Sequence, residues 1–239
     1  TSLGSKDEQI SQLREQNAAL QARIDTITGD VNRVSEFEDL MGLANSNDYE
    51  VVPAQIIAVG PAQGFAWTVT LDVGTRDGIE KDMSVISGKG LVGRVLSVGP
   101  STSTVVLIVD ATSSVGGRLE GSSQIGIVSG MGRQDALQMQ LLDPLAQVAQ
   151  GDVIVTFGSE GGRPYAPGIP IGTISEVQGA PGQLTRNAVV TPYADMSTLN
   201  IVGVVLTSPE RQVRQPVKPS PSPTDSPSDS PTPSPSGSQ

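Results

Sequence analysis

The chain has no cysteine and no histidine. Those two absences exclude a Ser-His-Asp triad, a cysteine nucleophile, disulfides, and thiolate or imidazole metal sites. No cofactor and no metal is therefore expected. Lack of cysteine suits an oxidising exterior, as it suits many other places. Aromatics are few, with 3 Phe, 3 Tyr and 1 Trp, so any core must be packed with Val, Ile and Leu. Basic residues are also short, 15 against 25 acids, for a net charge of −10. Without a basic field to displace counterions from phosphates, nucleic acid is not an expected partner. No apolar run approaches the roughly 18 to 20 residues that span a bilayer. The longest, Val105 to Val109, has the size of a strand. No signal peptide is visible, but the chain opens mid-pattern at Thr1, so an upstream segment is expected to precede it. A length of 239 residues allows one large or two small domains with a real core.

What is present falls into three compositions. In the first, Ile10, Asn17, Ile24, Val31 and Glu38 occupy heptad position a, and Leu13, Leu20, Ile27, Val34 and Met41 occupy d. A 3.5-residue period held this long is that of a left-handed coiled coil. No proline interrupts it, and Gly29 falls at f, away from the stripe. Ile10 at a with Leu13 at d favours two parallel strands, whereas Ile24 with Ile27 discriminates less. Asn17 is the sharper sign, since two buried amides satisfy each other only in parallel and in register. The e and g residues, among them Arg14, Gln16, Gln21 and Arg23, show little charge complementarity. The expectation is a homodimer through Ile10, Leu13, Asn17, Leu20, Ile24, Ile27, Val31, Val34 and Met41, with higher assemblies open. The competing reading is an amphipathic helix packed on its own domain.

From Tyr49 to Leu206 the period changes to two. About eleven short β-rich runs alternate with Gly, Pro and Asp, the pattern of small barrels or sandwiches. A weak repeat is visible. Gly78 to Val85 leads to Gly90-Leu91-Val92-Gly93-Arg94-Val95, then to a strand ending in Asp110. Gln150 to Val155 leads to Gly168-Ile169-Pro170-Ile171-Gly172-Thr173-Ile174, then to a strand before Asp195. Two related barrels are the natural inference. The third composition, from Pro209 on, is largely Pro, Ser, Thr and Asp, and is expected to be disordered.

Candidate chemistry is thin. Gly88-Lys89-Gly90-Leu91-Val92-Gly93 matches a dinucleotide-binding fingerprint, but a strand follows where a helix is required, so a barrel corner is expected. Asp72, Asp77, Asp82, Asp110, Asp152 and Asp195 invite a two-carboxylate hydrolase, yet most flank glycines at turns, where Asp is ordinary. Asp72-Val73-Gly74 occurs once, too little for an aspartic protease, and no Ser-x-x-Lys is found in the β region. Asp48 and Glu50 lie in no calcium-loop pattern. The long loop Gly158 to Gly168 carries Arg163 and Tyr165, plausible partner-contact residues.

The order of these parts, with Leu71-Asp72-Val73-Gly74-Thr75-Arg76-Asp77-Gly78-Ile79, Gly90 to Val95, Leu107-Ile108-Val109-Asp110, Gly126-Ile127-Val128-Ser129-Gly130, Gly151 to Gly158, Pro167 to Gly172 and Pro192-Tyr193-Ala194-Asp195-Met196, resembles the rod-shape-determining MreC family over about residues 1 to 207. The resemblance implies a mainly β fold with an N-terminal α-helical coiled coil and two small β-barrels. It places a dimerisation helix at 1–45, one barrel at 49–77 plus 146–207, and a second barrel inserted at 78–145, while the disordered Pro/Ser-rich tail at 208–239 departs from the family pattern and is read from composition alone. It further implies a non-catalytic scaffold on the extracytoplasmic side of the bacterial inner membrane, anchored by a single helix upstream of Thr1. Its implied partners are a class B penicillin-binding transpeptidase, MreD and, indirectly, MreB, in the service of cell shape and peptidoglycan synthesis. The rival readings are a cell-wall hydrolase or serine-type protease with a barrel fold, and a trimeric fibre-type adaptor.

Overall fold

A computed structural model describes residues 2–62, 66–178 and 186–207, with helix side chains described from Ser11 onward. The tail at 208–239 and the side chain of Ile10 lie outside the described residues. The fold is mainly β, with one long helix and two closed barrels of six strands each.

Helix α1 spans Ser2–Ser46. At 1.5 Å per residue it is roughly 68 Å long. It ends because Asp48 turns left-handed (φ 54°). The Tyr49 N–H then bonds back to the Ala44 carbonyl at 3.0 Å, and the Asp48 N–H reaches Asn45 at 3.4 Å. This is a Schellman closure with Asp in the usual glycine place. The last turns dock on the β region. Leu40 and Ala44 are fully buried, and the Glu36 carboxylate accepts the Ile201 N–H at 3.1 Å. Leu40 presses on Gly203, where an added Cβ would sit 2.9 Å from its Cδ1.

The strands are β1 (Glu50–Ala62), β2 (Ala66–Leu71), β3 (Ser84–Ser87), β4 (Gly90–Val98), β5 (Ser103–Leu107), β6 (Ser114–Leu119), β7 (Ile125–Arg133), β8 (Ala136–Leu141), β9 (Val153–Thr156), β10 (Pro170–Gln178), β11 (Arg186–Pro192) and β12 (Ile201–Thr207). The first barrel closes in the order β1-β12-β3-β4-β5-β2 and the second in the order β10-β11-β8-β7-β6-β9. Every ladder is antiparallel.

The first barrel is discontinuous, but the division differs from the expected one. The strands at 84–107 close with β1, β2 and β12, and the inserted barrel is 114–192 rather than 78–145. The reason is local pairing. Strands β3, β4 and β5 form a meander in one barrel, as do β9, β10 and β11 in the other. The chain crosses between barrels only after β5 and after β11. The sequence pattern gives no strand at 114–119, where β6 lies, because Gly116-Gly117 interrupts its apolar alternation. Gly117 is needed there, since a Cβ would fall 2.9 Å from Val128 inside the barrel.

The sequence repeat is structural. Strands β1 to β5 and β7 to β11 take matching places, and the sixth place is filled by β12 in one barrel and β6 in the other. Each copy has a bulge at the same step, between Val95 and Ser97 in β4 and between Ile174 and Glu176 in β10. Gly93 and Gly172 correspond, and an added Cβ at either would stand 2.1 Å from a neighbouring carbonyl oxygen. The buried residues form a core dominated by Val, Ile and Leu. Among the described residues, the buried aromatics are Tyr49 and Tyr165, and both sit at seams between parts.

Candidate docking surfaces

Two regions carry the sequence expectations, the helix stripe and the β9–β10 loop. Along α1, Leu13, Leu20, Ile24, Ile27, Val31 and Val34 are each 54 to 61 % exposed, and Asn17 among them is exposed too. The chain's own barrels cover none of these residues. The helix docks with other faces, Leu40 at heptad position c and Ala44 at g. The competing reading, a helix packed along its own domain, therefore fails from residue 11 to Val34. Met41 is half-buried where docking begins, and Glu38 stays exposed. The free stripe is thus Leu13 to Val34. Sequence reasoning missed the docking end, although Leu40, an apolar residue off the heptad stripe, was the signal.

The loop between β9 and β10 is held from three sides. The Ser84 hydroxyl, buried in the first barrel, donates to the Pro164 carbonyl at 3.1 Å and accepts the Ala166 N–H at 2.8 Å. The Thr156 hydroxyl donates to the Ala166 carbonyl at 2.5 Å and accepts the Ile169 N–H at 2.9 Å. The Tyr49 hydroxyl, at the end of the helix, donates to the Pro167 carbonyl at 2.5 Å. Burial pushes the Tyr49 phenol up to about 12, which keeps it a donor at any physiological pH. The loop thus ties helix and barrels together, a role that Ser84, Thr156 and Tyr49 did not announce in the sequence.

Tyr165 is 3 % exposed, which corrects the expectation of an aromatic offered at the surface. Its apolar ring fills the seam between barrels. Burial raises its pKa, while the neighbouring Arg94 guanidinium works against that rise. Arg163 remains accessible and pairs with Glu80 of the first barrel.

Among the six aspartates, Asp72 ties the end of β2 to β1, Asp82 holds an arginine and the other four close turns. Asp72 accepts the Gln55 N–H at 2.7 Å, Asp77 the Gly74 N–H at 2.9 Å, and Asp152 the Ala149 N–H at 2.9 Å. Asp82 pairs with Arg94 at 2.6 Å. Asp110 accepts from Thr112 and Trp67, and Asp195 from Ser197. Gly88-Lys89 is the tight β3–β4 turn, and Gly90 to Gly93 lie in a strand rather than at a helix start. Among the described residues no helix is long and apolar enough to cross a membrane.

A family model described as rod shape-determining protein MreC, barrel core, matches residues 56–206. The cell shape-determining protein MreC of Listeria monocytogenes is 28 % identical over 86 % of this chain and 70 % of its own length. That of Bacillus subtilis is 31 % identical over 80 % of this chain and 71 % of its own. Among solved structures, MreC from Pseudomonas aeruginosa superposes with a TM-score of 0.60 at 29 % identity, over 65 % of this chain and 99 % of that one. A structure titled as a complex between penicillin-binding protein PBP2 and MreC from Helicobacter pylori gives a TM-score of 0.51 at 14 % identity, over 65 % of this chain and 98 % of that one, and shares the fold alone. With the barrel core matched from β1 to β12, this chain belongs to the rod shape-determining MreC family.

Proposed function

We propose that this chain is a dimeric, non-catalytic scaffold of the cell-elongation machinery, held at the extracytoplasmic face of the inner membrane by a segment upstream of Thr1. The observation that carries the reading is the uncovered stripe Leu13 to Val34, with Asn17 inside it, on a helix whose other faces do the docking. Six half-exposed aliphatic side chains per helix gain on the order of 1 kcal/mol each on being covered, and a parallel partner helix covers them in register. Dimerisation then sets two barrel pairs on a long stalk, a geometry for positioning other proteins rather than for turnover. The partners proposed are a class B penicillin-binding transpeptidase and MreD, with MreB reached indirectly. Support for this comes from the relatives' role in cell shape and, at the level of fold, from the Helicobacter pylori complex.

Sedimentation equilibrium tests the stripe directly. The chain should sediment as a dimer, and Leu20→Glu with Ile24→Glu should give a monomer whose barrels melt as before. Asn17→Ile should raise the melting temperature of the helix while loosening the choice of two parallel strands. A wild-type monomer at high concentration, or three chains per particle, contradicts the assignment. The transpeptidase should be retained by the immobilised dimer and lost from the double-Glu variant if dimerisation is what presents the barrels.

A further inference from the structure

The two barrels share a plan, so the places where they diverge are informative. At one corner the first barrel carries Glu80, Lys81 and Asp82 before β3, and Arg94 in β4. The matching positions of the second barrel are Ala149, Gln150, Gly151 and Thr173, all uncharged. The match is fixed by paired hydrogen bonds, from the Asp82 N–H to Val95 and the Gly151 N–H to Ile174. Asp82 holds φ at 61° where its counterpart is a glycine at 91°. A side chain is kept there despite an unfavourable backbone, and its carboxylate fixes Arg94. The second divergence is the connection after β3 or β9. A two-residue turn, Gly88-Lys89, becomes the long loop that brings Arg163 and Tyr165 across to this same corner.

The two divergences meet. Lys81, Asp82, Arg94, Ser114, Arg163 and Tyr165 line one cleft between the barrels, of about 580 Å³. Pockets that hold ligands are commonly of this order, about 300 to 1,000 Å³. Tyr165 closes the floor, and its buried hydroxyl has no well-formed hydrogen bond although Arg94 lies beside it. Three cations converge here on a molecule of net charge −10. Two of them already hold carboxylates, Arg94 that of Asp82 at 2.6 Å and Arg163 that of Glu80, and the Arg163–Glu80 partners are largely open to water, with side-chain exposures of 42 and 64 %. An ion pair so exposed is worth little and exchanges readily.

We propose that this cleft is a docking site for an acidic segment of a separate protein, whose carboxylates displace Glu80 from Arg163 and engage Lys81 and the free edge of Arg94. Arginine suits the task because its planar fork takes a carboxylate on two N–H groups at once. Ser114 supplies a neutral donor at the rim. Tyr165 is a positioning residue that supports Arg94 from below. The chain's own tail is a poor occupant by charge, since Glu210, Asp225 and Asp229 are cancelled within it by Arg211, Arg214 and Lys218. The site does not depend on dimerisation of the helix.

Titration of the full chain with an acetylated tetra-aspartate amide, against the tetra-asparagine analogue, tests this by calorimetry and by amide chemical shifts. The acidic peptide should bind saturably, with shifts centred on Lys81, Arg94 and Arg163, and the neutral one should not. Arg163→Ala should weaken binding about tenfold, as loss of a charge-assisted hydrogen bond does. Glu80→Gln should tighten it about threefold, because an internal competitor for Arg163 is gone. That gain separates docking from a structural role, in which removing Glu80 helps nothing. Both groups are exposed enough that the two variants should melt with the parent. Equal binding of both peptides, or affinity unmoved by either substitution, overturns the proposal. Binding that emerges only after residues 208–239 are removed overturns the assignment to a separate protein, because the tail would then be the occupant.

Discussion

The first barrel and the second solve the same turn with different side chains. Before β3 the Glu80 N–H is held by the sulfur of Met83 at 3.2 Å, and before β9 the Ala149 N–H is held by the Asp152 carboxylate at 2.9 Å. After β5, Asp110 accepts the Thr112 N–H at 2.8 Å, and after β11, Asp195 accepts the Ser197 N–H at 2.9 Å. Backbone geometry is what the copies share, and the atoms that satisfy it are interchangeable. Surface charge is what they do not share, and the charged corner of the first barrel is the one that faces the other barrel's long loop. Equivalence is therefore a property of the barrel frame, and function is to be sought where the frame is decorated differently.

Removing a glycine that both frames need gives the largest effect. Gly93→Ala and Gly172→Ala each drive a methyl group to about 2.1 Å from a carbonyl oxygen of the adjacent strand, Val106 or Thr191. Backbone on both sides leaves little room to yield, so each should cost about 3 kcal/mol or more, read from urea unfolding. The two losses should be alike. Tolerance of alanine at one site only would show that the copies are equivalent in topology but not in packing.

A smaller effect separates the copies. Ser87 and Thr156 occupy matching strand ends. Ser87 donates to Gly90 and accepts from Lys89, both at 3.3 Å, inside a two-residue turn. Thr156 makes two shorter bonds to a loop that has no ladder of its own. Thr156→Val leaves a buried carbonyl and a buried N–H without their partner and should cost about 2 kcal/mol, whereas Ser87→Ala should cost about 1 kcal/mol or less. The measurement is again the urea midpoint, with amide exchange at Ala166 and Ile169 reporting whether the loop has loosened. Equal costs would mean that the Thr156 hydroxyl adds little to the hold of Ser84 and Tyr49 on the loop.

Legibility in the sequence followed the same division. The frame could be read, because Gly-rich turns and alternating Val and Ile are dictated by the local backbone. The repeat from Gly78 and from Gln150 marks matching meanders in the two barrels. Which meander belongs to which barrel could not be read, since closure depends on β12 returning from far along the chain to pair with β1 and β3. Strand β6 was hidden by Gly116-Gly117, chosen for the space they leave and not for strand propensity. The a/d stripe was visible because nothing among the described residues competes for it, but Leu40 and Ala44, which end its freedom, act through contacts with Gly203 and the first barrel that no period encodes. Tyr165 looked like a surface anchor because its loop is long and glycine-rich. Ser84 and Tyr49, both remote in sequence, turn that loop inward together with Thr156 at its base.

The smallest difference is expected at Asp110 and Asp195, and it comes with a pH signature. Burial pushes the Asp110 carboxyl up, but hydrogen bonds from the Thr112 hydroxyl and N–H and from the Trp67 N–H outweigh it and hold the pKa below the ordinary range. Hydrogen bonds from Ser197, the side chain first, lower that of Asp195. A carboxyl depressed in the folded state adds stability that is fully present above its unfolded pKa, about 3.9, and is lost as pH falls through the folded value. Asp110 alone also reaches across to another strand, through the Trp67 N–H at 2.7 Å, and Trp67 in turn bonds the Gly132 carbonyl of the second barrel at 3.2 Å. Asp110→Asn should therefore cost about 1 kcal/mol at neutral pH and flatten the loss of stability below about pH 4. Asp195→Asn, exposed, bonded only within its own turn and drawn down further by the Lys89 charge, should change the midpoint less and leave most of the acid slope in place. A steeper acid slope lost at Asp195 than at Asp110 would place the pH-sensitive joint at the outer turn instead of between the barrels.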